Sequence, residues 1–200
     1  MNKSYPLLIF PIFLLCFIAC KQAEKEPRRP NIIFIMVDDL GKEWIGCYGA
    51  DSIKTPAIDQ MAEDGMKFHN AWSMPQCTPT RVTLLTGKYP WKTGWVNHWD
   101  VPRWGHGYID WKHNPTFATY LQQSGYKTAA AGKWQINDFR LTPDAMGKHG
   151  FDDWCMWTGY EEGVPASRER YWDPYIHTRE GSKTYKGAFG TDVFTNFIVQ

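Results

Sequence analysis

Cys77 and Arg81, four residues apart in Cys77-Thr78-Pro79-Thr80-Arg81, are the side chains best placed to do chemistry in this 200-residue chain. On a helix that separation puts a thiol and a guanidinium on one face about one turn apart, so the cation can brace the attacking group. Pro79 suits the first helical position and Thr78 an N-cap, which sets the reacting group at a helix N-terminus. Free N–H groups there favour a bound anion. Taken alone, the five residues are better read as an ordinary proline-started helix with a buried cysteine. Upstream, the apolar run 31–37 ends in Asp38-Asp39-Leu40-Gly41. This reads as a buried parallel strand followed by a turn, and ligands of open α/β sheets bind beyond such strand ends. Adjacent carboxylates repel unless a cation lies between them, and hard oxygen ligands suit calcium or magnesium. The same pair before a glycine also describes a solvated loop.

The run beginning at Cys77 continues as Val82-Thr83-Leu84-Leu85-Thr86-Gly87-Lys88-Tyr89-Pro90, and the whole stretch resembles the signature of the type I sulfatases. The resemblance implies that a maturation enzyme oxidises Cys77 to formylglycine. The hydrate of that aldehyde carries two hydroxyls on one carbon, one to attack sulfur and one to expel sulfate, which a plain Ser or Cys cannot do. Arg81 is then the second catalytic residue. The Asp38-Asp39 pair resembles half of the family's calcium site, with magnesium as the alternative ion and residue 77 itself at the metal. Such an ion would orient the sulfate oxygens and favour ionisation of the hydrate.

A third segment, Gly125-Tyr126-Lys127-Thr128-Ala129-Ala130-Ala131-Gly132-Lys133-Trp134-Gln135, also resembles the family, in which the lysine of Gly-Lys-Trp contacts the substrate sulfate. Lys133 takes that place. The family most often has His two residues later, where it contacts the formylglycine, and this chain has Gln135 instead. An amide donates and accepts hydrogen bonds but carries no proton in acid or base work. That departure leaves room for a slower enzyme or a different ester.

The elements that must position these groups alternate along the chain. A strand is expected over 31–37, a helix over 56–64, a strand over 67–72, a helix over 115–124 capped by Asn114 and stopped by Gly125, and a helix over 191–199. Alternation of this kind implies α/β layers. The family resemblance implies an alkaline-phosphatase-like sandwich with a mixed, largely parallel central sheet. The stretch 91–111 holds five tryptophans, interleaved with glycine, proline and histidine and without clean periodicity. It reads as a long loop after the signature helix, most of whose tryptophans pack onto the body. His98, His106 and His113 within and beyond it have no compact ligand spacing.

Residues 1–19 carry one early cation and an apolar stretch too short to span a bilayer, which is the form of a signal peptide. Phe17-Ile18-Ala19-Cys20 resembles a bacterial lipobox, with Cys20 lipidated and first in the mature chain. Residues 20–30 are charged and proline-containing, as a flexible tether is. The expected location is therefore the periplasm or cell surface, held to a membrane by lipid. Of five cysteines, this leaves Cys47 and Cys155 outside any role, and buried free thiols are favoured over a disulfide. With 22 basic and 21 acidic residues, no electrostatic footprint for nucleic acid exists.

The resemblance runs from about residue 31 to the end, and 31–200 is expected to be the N-terminal part of a longer catalytic domain. The family's later Asp-Asn metal ligands and sulfate-binding His and Lys have no counterpart in it, so the isolated segment should be inactive. The function expected of the whole is sulfate ester hydrolysis on a sulfated small molecule or glycan. A phosphate or phosphonate ester hydrolase of the same fold and a noncatalytic glycan-binding lipoprotein are the alternatives.

Overall fold

A computed structural model describes residues 29–97, 109–157 and 171–200. The signal peptide, Cys20, most of the tether, Trp99, Trp104, His98 and His106 lie outside the described residues. At the end of the tether, the Arg29 guanidinium donates to the Ser124 carbonyl and sits 5.9 Å from the centroid of the Tyr126 ring.

Two 3-10 turns, Lys42–Trp44 and Gly46–Tyr48, lead into helix α1 (Pro56–Asp64). Proline at the first position of α1 loses no bond, because the first N–H groups of a helix have no partner within it. Asp59 Oδ1 accepts from the Cys47 amide at 2.6 Å and from Thr55 Oγ1 at 3.0 Å, which ties α1 to the second turn. Helix α2 (Cys77–Thr86) ends at Gly87, whose φ of 66° lets its amide turn back to the Thr83 carbonyl at 2.8 Å. Short helices α3 (Pro90–Thr93) and α4 (Phe117–Gln123) both lie against α2 or follow directly from it.

Strand β1 (Ala129–Lys133) runs parallel to β2 (Asp153–Trp157), with α5 (Ala145–Lys148) in the crossover. Antiparallel β3 (Tyr175–Thr178) and β4 (Gly181–Thr184) complete a mixed four-stranded sheet in the order β1-β2-β3-β4. Three alanines and a glycine have little intrinsic strand preference, so β1 is a strand because β2 pairs with it. Helix α6 (Gly190–Val199) packs along β1 and β2. The core draws on Val82 of α2, Ala118 of α4, Trp134, Ile136 and Phe139 after β1, Met146 of α5, and Trp154 and Met156 of β2.

Several sequence expectations are corrected. Residues 31–37 are extended but belong to no ladder among the described residues, and Ile33 is 79% exposed. An apolar run of this type needs partners on both faces and both edges, and the described residues do not supply them. Residues 67–72 likewise form no strand and are exposed. Helix α2 starts earlier than Thr78 and Pro79 suggest: Gln76 is the N-cap, Cys77 the first helical residue, and Thr78 is fully buried. Pro79 is tolerated at the third position because that amide lacks an intrahelical acceptor anyway. Thr116, not Asn114, caps α4, its hydroxyl accepting from the Thr119 amide at 3.3 Å. Asn114 Oδ1 instead accepts from Lys88 Nζ at 3.1 Å, which takes it out of capping. The sheet is mixed as expected, and of its three pairings among the described residues only β1 with β2 is parallel. The tryptophans of the loop divide: Trp95 joins the core, whereas Trp91 is exposed and stacks on Tyr89 at 4.5 Å. Cys47 and Cys155 are unpaired thiols, the second buried and pushed up to about 11 by that burial.

His149, at the end of α5, is completely buried with neither ring nitrogen hydrogen-bonded. The Trp134 and Trp111 rings flank it at 5.5 and 5.9 Å. The next residue, Gly150, has φ of 90°, and a Cβ there would meet the Thr119 backbone at 2.4 Å, so the α5 end and α4 are in direct contact. Desolvation pushes the His149 imidazole down to about 4, against a smaller upward pull from the Asp110 charge. The folded chain therefore holds this ring neutral while the unfolded chain takes up a proton below about pH 6.5. Stability is lost as pH falls from 6.5 toward 4, by roughly 3 kcal/mol in all. His149→Phe should flatten the dependence of unfolding temperature on pH in that window. An equally steep dependence in the variant would show that other groups set it.

Candidate active site

The N-terminus of α2, the C-terminal end of β1 and the turn after residue 37 meet at one place. Asp38 Oδ2 accepts two charge-assisted hydrogen bonds, from Lys133 Nζ at 2.6 Å and from Arg81 Nη2 at 3.0 Å. The other Arg81 terminal nitrogen donates to the Lys133 carbonyl at 2.6 Å. Arg81 thus bridges the strand end and the acidic turn, a task that needs the planar fork of a guanidinium. Arg81 is 8% exposed, and its Nε is buried with no protein acceptor. Burial raises the Asp38 carboxyl, but hydrogen bonds from Lys133 and Arg81 together with their charges outweigh it and hold the group below its ordinary value.

Cys77 is half-buried at the first position of α2, and its Sγ donates to Gln135 Oε1 at 3.2 Å. Thr80 fixes the approach to the helix, its hydroxyl donating to the Gln76 carbonyl at 2.7 Å and to the Met74 carbonyl at 2.9 Å. Asp38, Arg81 and Lys133 thus form one hydrogen-bonded cluster, and Cys77 meets Gln135, two residues beyond Lys133. Asp39 belongs to the same turn, with a left-handed φ of 56° and an exposed side chain, outside the ion-pair network. The sequence gives no sign of Gln76, whose φ of 80° and ψ of 157° aim the start of α2. A glutamine carries no preference for that conformation.

Two cations, one of them on α2, share one carboxylate. The excess of positive charge suits an oxyanion such as a sulfate group, and the unpartnered Arg81 Nε is a further donor. For a hard cation the donor chemistry fits in type, since Asp38 and Asp39 offer carboxylate oxygens. Among the described residues no group of three acidic, histidine or cysteine ligands is assembled. A cleft of about 470 Å³ beside α1, lined by residues that include Cys47, Lys54, Asp59, Glu63 and Lys67, includes none of these site residues.

A family model described as Sulfatase matches residues 30–199. The chain is 32% identical over 199 residues to N-acetylglucosamine-6-O-sulfatase of Bacteroides thetaiotaomicron, covering 98% of this chain and 32% of that protein. It is 38% identical over 151 residues to human steryl-sulfatase, covering 72% of this chain and 24% of that one. A solved structure of a protein in complex with its substrate D-glucosamine-2-N,6-O-disulfate superimposes with a TM-score of 0.66 at 31% identity, over 86% of this chain and 31% of that chain. The chain spans about a third, or less, of the length of these relatives. The match over nearly all of the sequence and the shared mixed α/β fold lead to one conclusion: the chain belongs to the type I sulfatase family, within the alkaline phosphatase superfamily.

Proposed function

We propose that this chain carries the nucleophile-bearing part of a sulfuric ester hydrolase that acts on a sulfated carbohydrate. The observation that supports it most is the meeting of Arg81 and Lys133, from segments far apart in sequence, on the Asp38 carboxylate, with Cys77 on the helix of Arg81 and in contact with Gln135 just beyond Lys133. Lys133 and Arg81 would bind and orient the sulfate, with Asp38 holding both cations in place until substrate arrives. The N-terminus of α2 adds backbone donors beside residue 77. Formylglycine made from Cys77 by a maturation enzyme would supply, as its hydrate, both the attacking oxygen and the second hydroxyl needed to release sulfate. A divalent cation, calcium or magnesium, held in part by Asp38, Asp39 and residue 77, would polarise the sulfate oxygens.

A carbohydrate substrate is supported by the amino-sugar sulfatase that aligns with 98% of the chain and by the neighbour bound to a glucosamine disulfate. The steryl-sulfatase relative makes this a choice within the family. We also propose export, with Cys20 as a lipid anchor in a bacterial envelope, on the apolar leader and the Phe17-Ile18-Ala19-Cys20 run.

The test is to produce the whole protein in its native host and map the peptide that spans residue 77 by mass. Sulfate release is then compared across glucosamine sulfates, a steroid sulfate and the matching phosphate esters. The reading predicts formylglycine at position 77 and a preference for the sugar sulfate of at least about a hundredfold in kcat/KM. Faster phosphate release would move the protein to phosphoryl chemistry. Unmodified Cys77 with sulfated sugar bound but not cleaved would make it a binding protein.

A further inference from the structure

The chain from Arg29 to Asp38 is held at three points, and their order gives it a direction. At the start, the Arg29 guanidinium donates to the carbonyl of Ser124, the C-cap of α4, and lies 5.9 Å from the Tyr126 ring centroid. In the middle, the Phe34 ring meets that of Phe117, at the start of α4, with 6.3 Å between centroids. At the end, Asp38 accepts from Lys133 Nζ at 2.6 Å. Ser124 and Tyr126 come just before β1, and Lys133 is its last residue. Residues 29–38 therefore run in the direction of β1, from the end where that strand begins to the end where the active site sits.

The contact at Arg29 is chemically suited to hold. A cation is favoured at the carbonyl end of a helix, and Gly125 leaves it room, since a Cβ there would stand 2.8 Å from Arg29 Nη1. A charge-assisted hydrogen bond beside an aromatic face favours the docked arginine by about tenfold. Docking also sets how far the body can stray from residue 20. The chain from Cys20 to Arg29 reaches at most roughly 30 Å, against roughly 60 Å from Cys20 to Asp38 when the arginine lets go.

We infer that Arg29 clamps the tether to the end of β1 remote from Cys77, so that the bilayer holding Cys20 lies at that end and the active site faces away from it. The inference rests on the proposed lipid anchor for its partner, though not for the clamp itself. That orientation leaves the sulfate-binding end clear for a bulky glycan chain.

The test places the whole mature protein on vesicles through a hexahistidine tag, in place of the lipid on Cys20, and a nickel-chelating lipid. Nitroxide-bearing head groups serve as the quencher. Lys127→Cys and Leu40→Cys carry the same dye, one at a time, in a Cys47→Ser, Cys77→Ser background. The first position lies between Tyr126 and β1, the second two residues past Asp38, and both are exposed. Since β1 alone separates the two ends by about 13 Å, quenching should be at least about threefold stronger at 127 than at 40. Arg29→Ala should bring that ratio below about twofold, because the freed tether lets the body tumble. Equal quenching at the two positions, stronger quenching at 40, or a ratio that Arg29→Ala leaves unchanged overturns the inference. Protein from the native host is read separately, by the mass of its N-terminal peptide. An unlipidated Cys20 would sink the anchor reading and the bilayer as partner with it, and the quenching ratio would still decide the clamp.

Discussion

Cys77→Ala should lower sulfate ester turnover by the whole protein by roughly 10⁴-fold or more, with substrate affinity largely kept. The nucleophile position is lost, while Arg81, Lys133 and the N-terminus of α2 still bind the anion. Cys77 is half-buried at the surface of a helix start, so alanine there costs little packing and the unfolding temperature should stay within a few degrees of the parent's. Cys77→Ser is the sharper comparison. Serine restores a single hydroxyl at the same place, and in a host that does not convert serine it should recover almost none of the loss. Activity in Cys77→Ala above a hundredth of the parent's would mean that attack on sulfur comes from another group, and the catalytic role given to residue 77 would fail.

The next largest effect is expected at Asp38. One oxygen of this carboxylate receives both Lys133 and Arg81, whose side chains are 21% and 10% exposed. Asp38→Asn keeps the shape and removes the charge, leaving two largely buried cations facing each other around a neutral amide. Removing one member of a desolvated ion cluster typically costs more than making the cluster gains, and here a loss of about 2 kcal/mol of stability is expected. On the proposed function, turnover should fall about a hundredfold or more, because the two cations proposed to bind sulfate lose their common anchor and a proposed metal ligand goes with it. Chemical denaturation read beside kcat/KM checks both. The pH dependence has a definite sign. Since the folded chain holds the Asp38 carboxyl below its ordinary value, this contribution is present in full above about pH 4 and is lost as pH falls through the folded value. It adds to the acid lability that begins at higher pH with His149, and the two separate because His149→Phe leaves the more acidic limb in place. A variant Asp38→Asn as stable as the parent at pH 7 would mean that the ion pairs contribute nothing net.

Much of the site could be read from sequence because its chemistry is carried by short local patterns. The spacing of Cys77 and Arg81 on one helical face needs only the helical repeat, and the two side chains reach Gln135 and the carbonyl of Lys133, two residues apart after and at the end of β1. The helix over 56–64 begins at a proline and occupies Pro56–Asp64, and Gly125 stops α4 through its left-handed φ of 83°. Caps were less legible, since a threonine or asparagine offers the same oxygen whether or not the fold uses it elsewhere. Thr78 is buried, and Asn114 is taken by Lys88.

Strands were the least legible, for a related reason. The apolar run 31–37 has strand composition without a ladder among the described residues, while the alanine-rich 129–133 has poor composition and sits in the sheet. A strand is a relation between segments, and only half of that relation is written in either of them.

By itself, then, the sequence determined the groups that can do chemistry, their spacing within each segment, the starts and stops of the better helices and membership of a sulfatase family. All of these depend on residues within a few positions of one another. Only the tertiary structure decided that Asp38, Arg81 and Lys133 form a single charged cluster across separations of 43 and 95 residues. It alone gave Gln135 its left-handed backbone, φ 59°, between two core neighbours. Those outcomes follow from the packing of Trp134 and Ile136 into a common core and from charges that lower their energy by meeting, and neither is a property of any one segment.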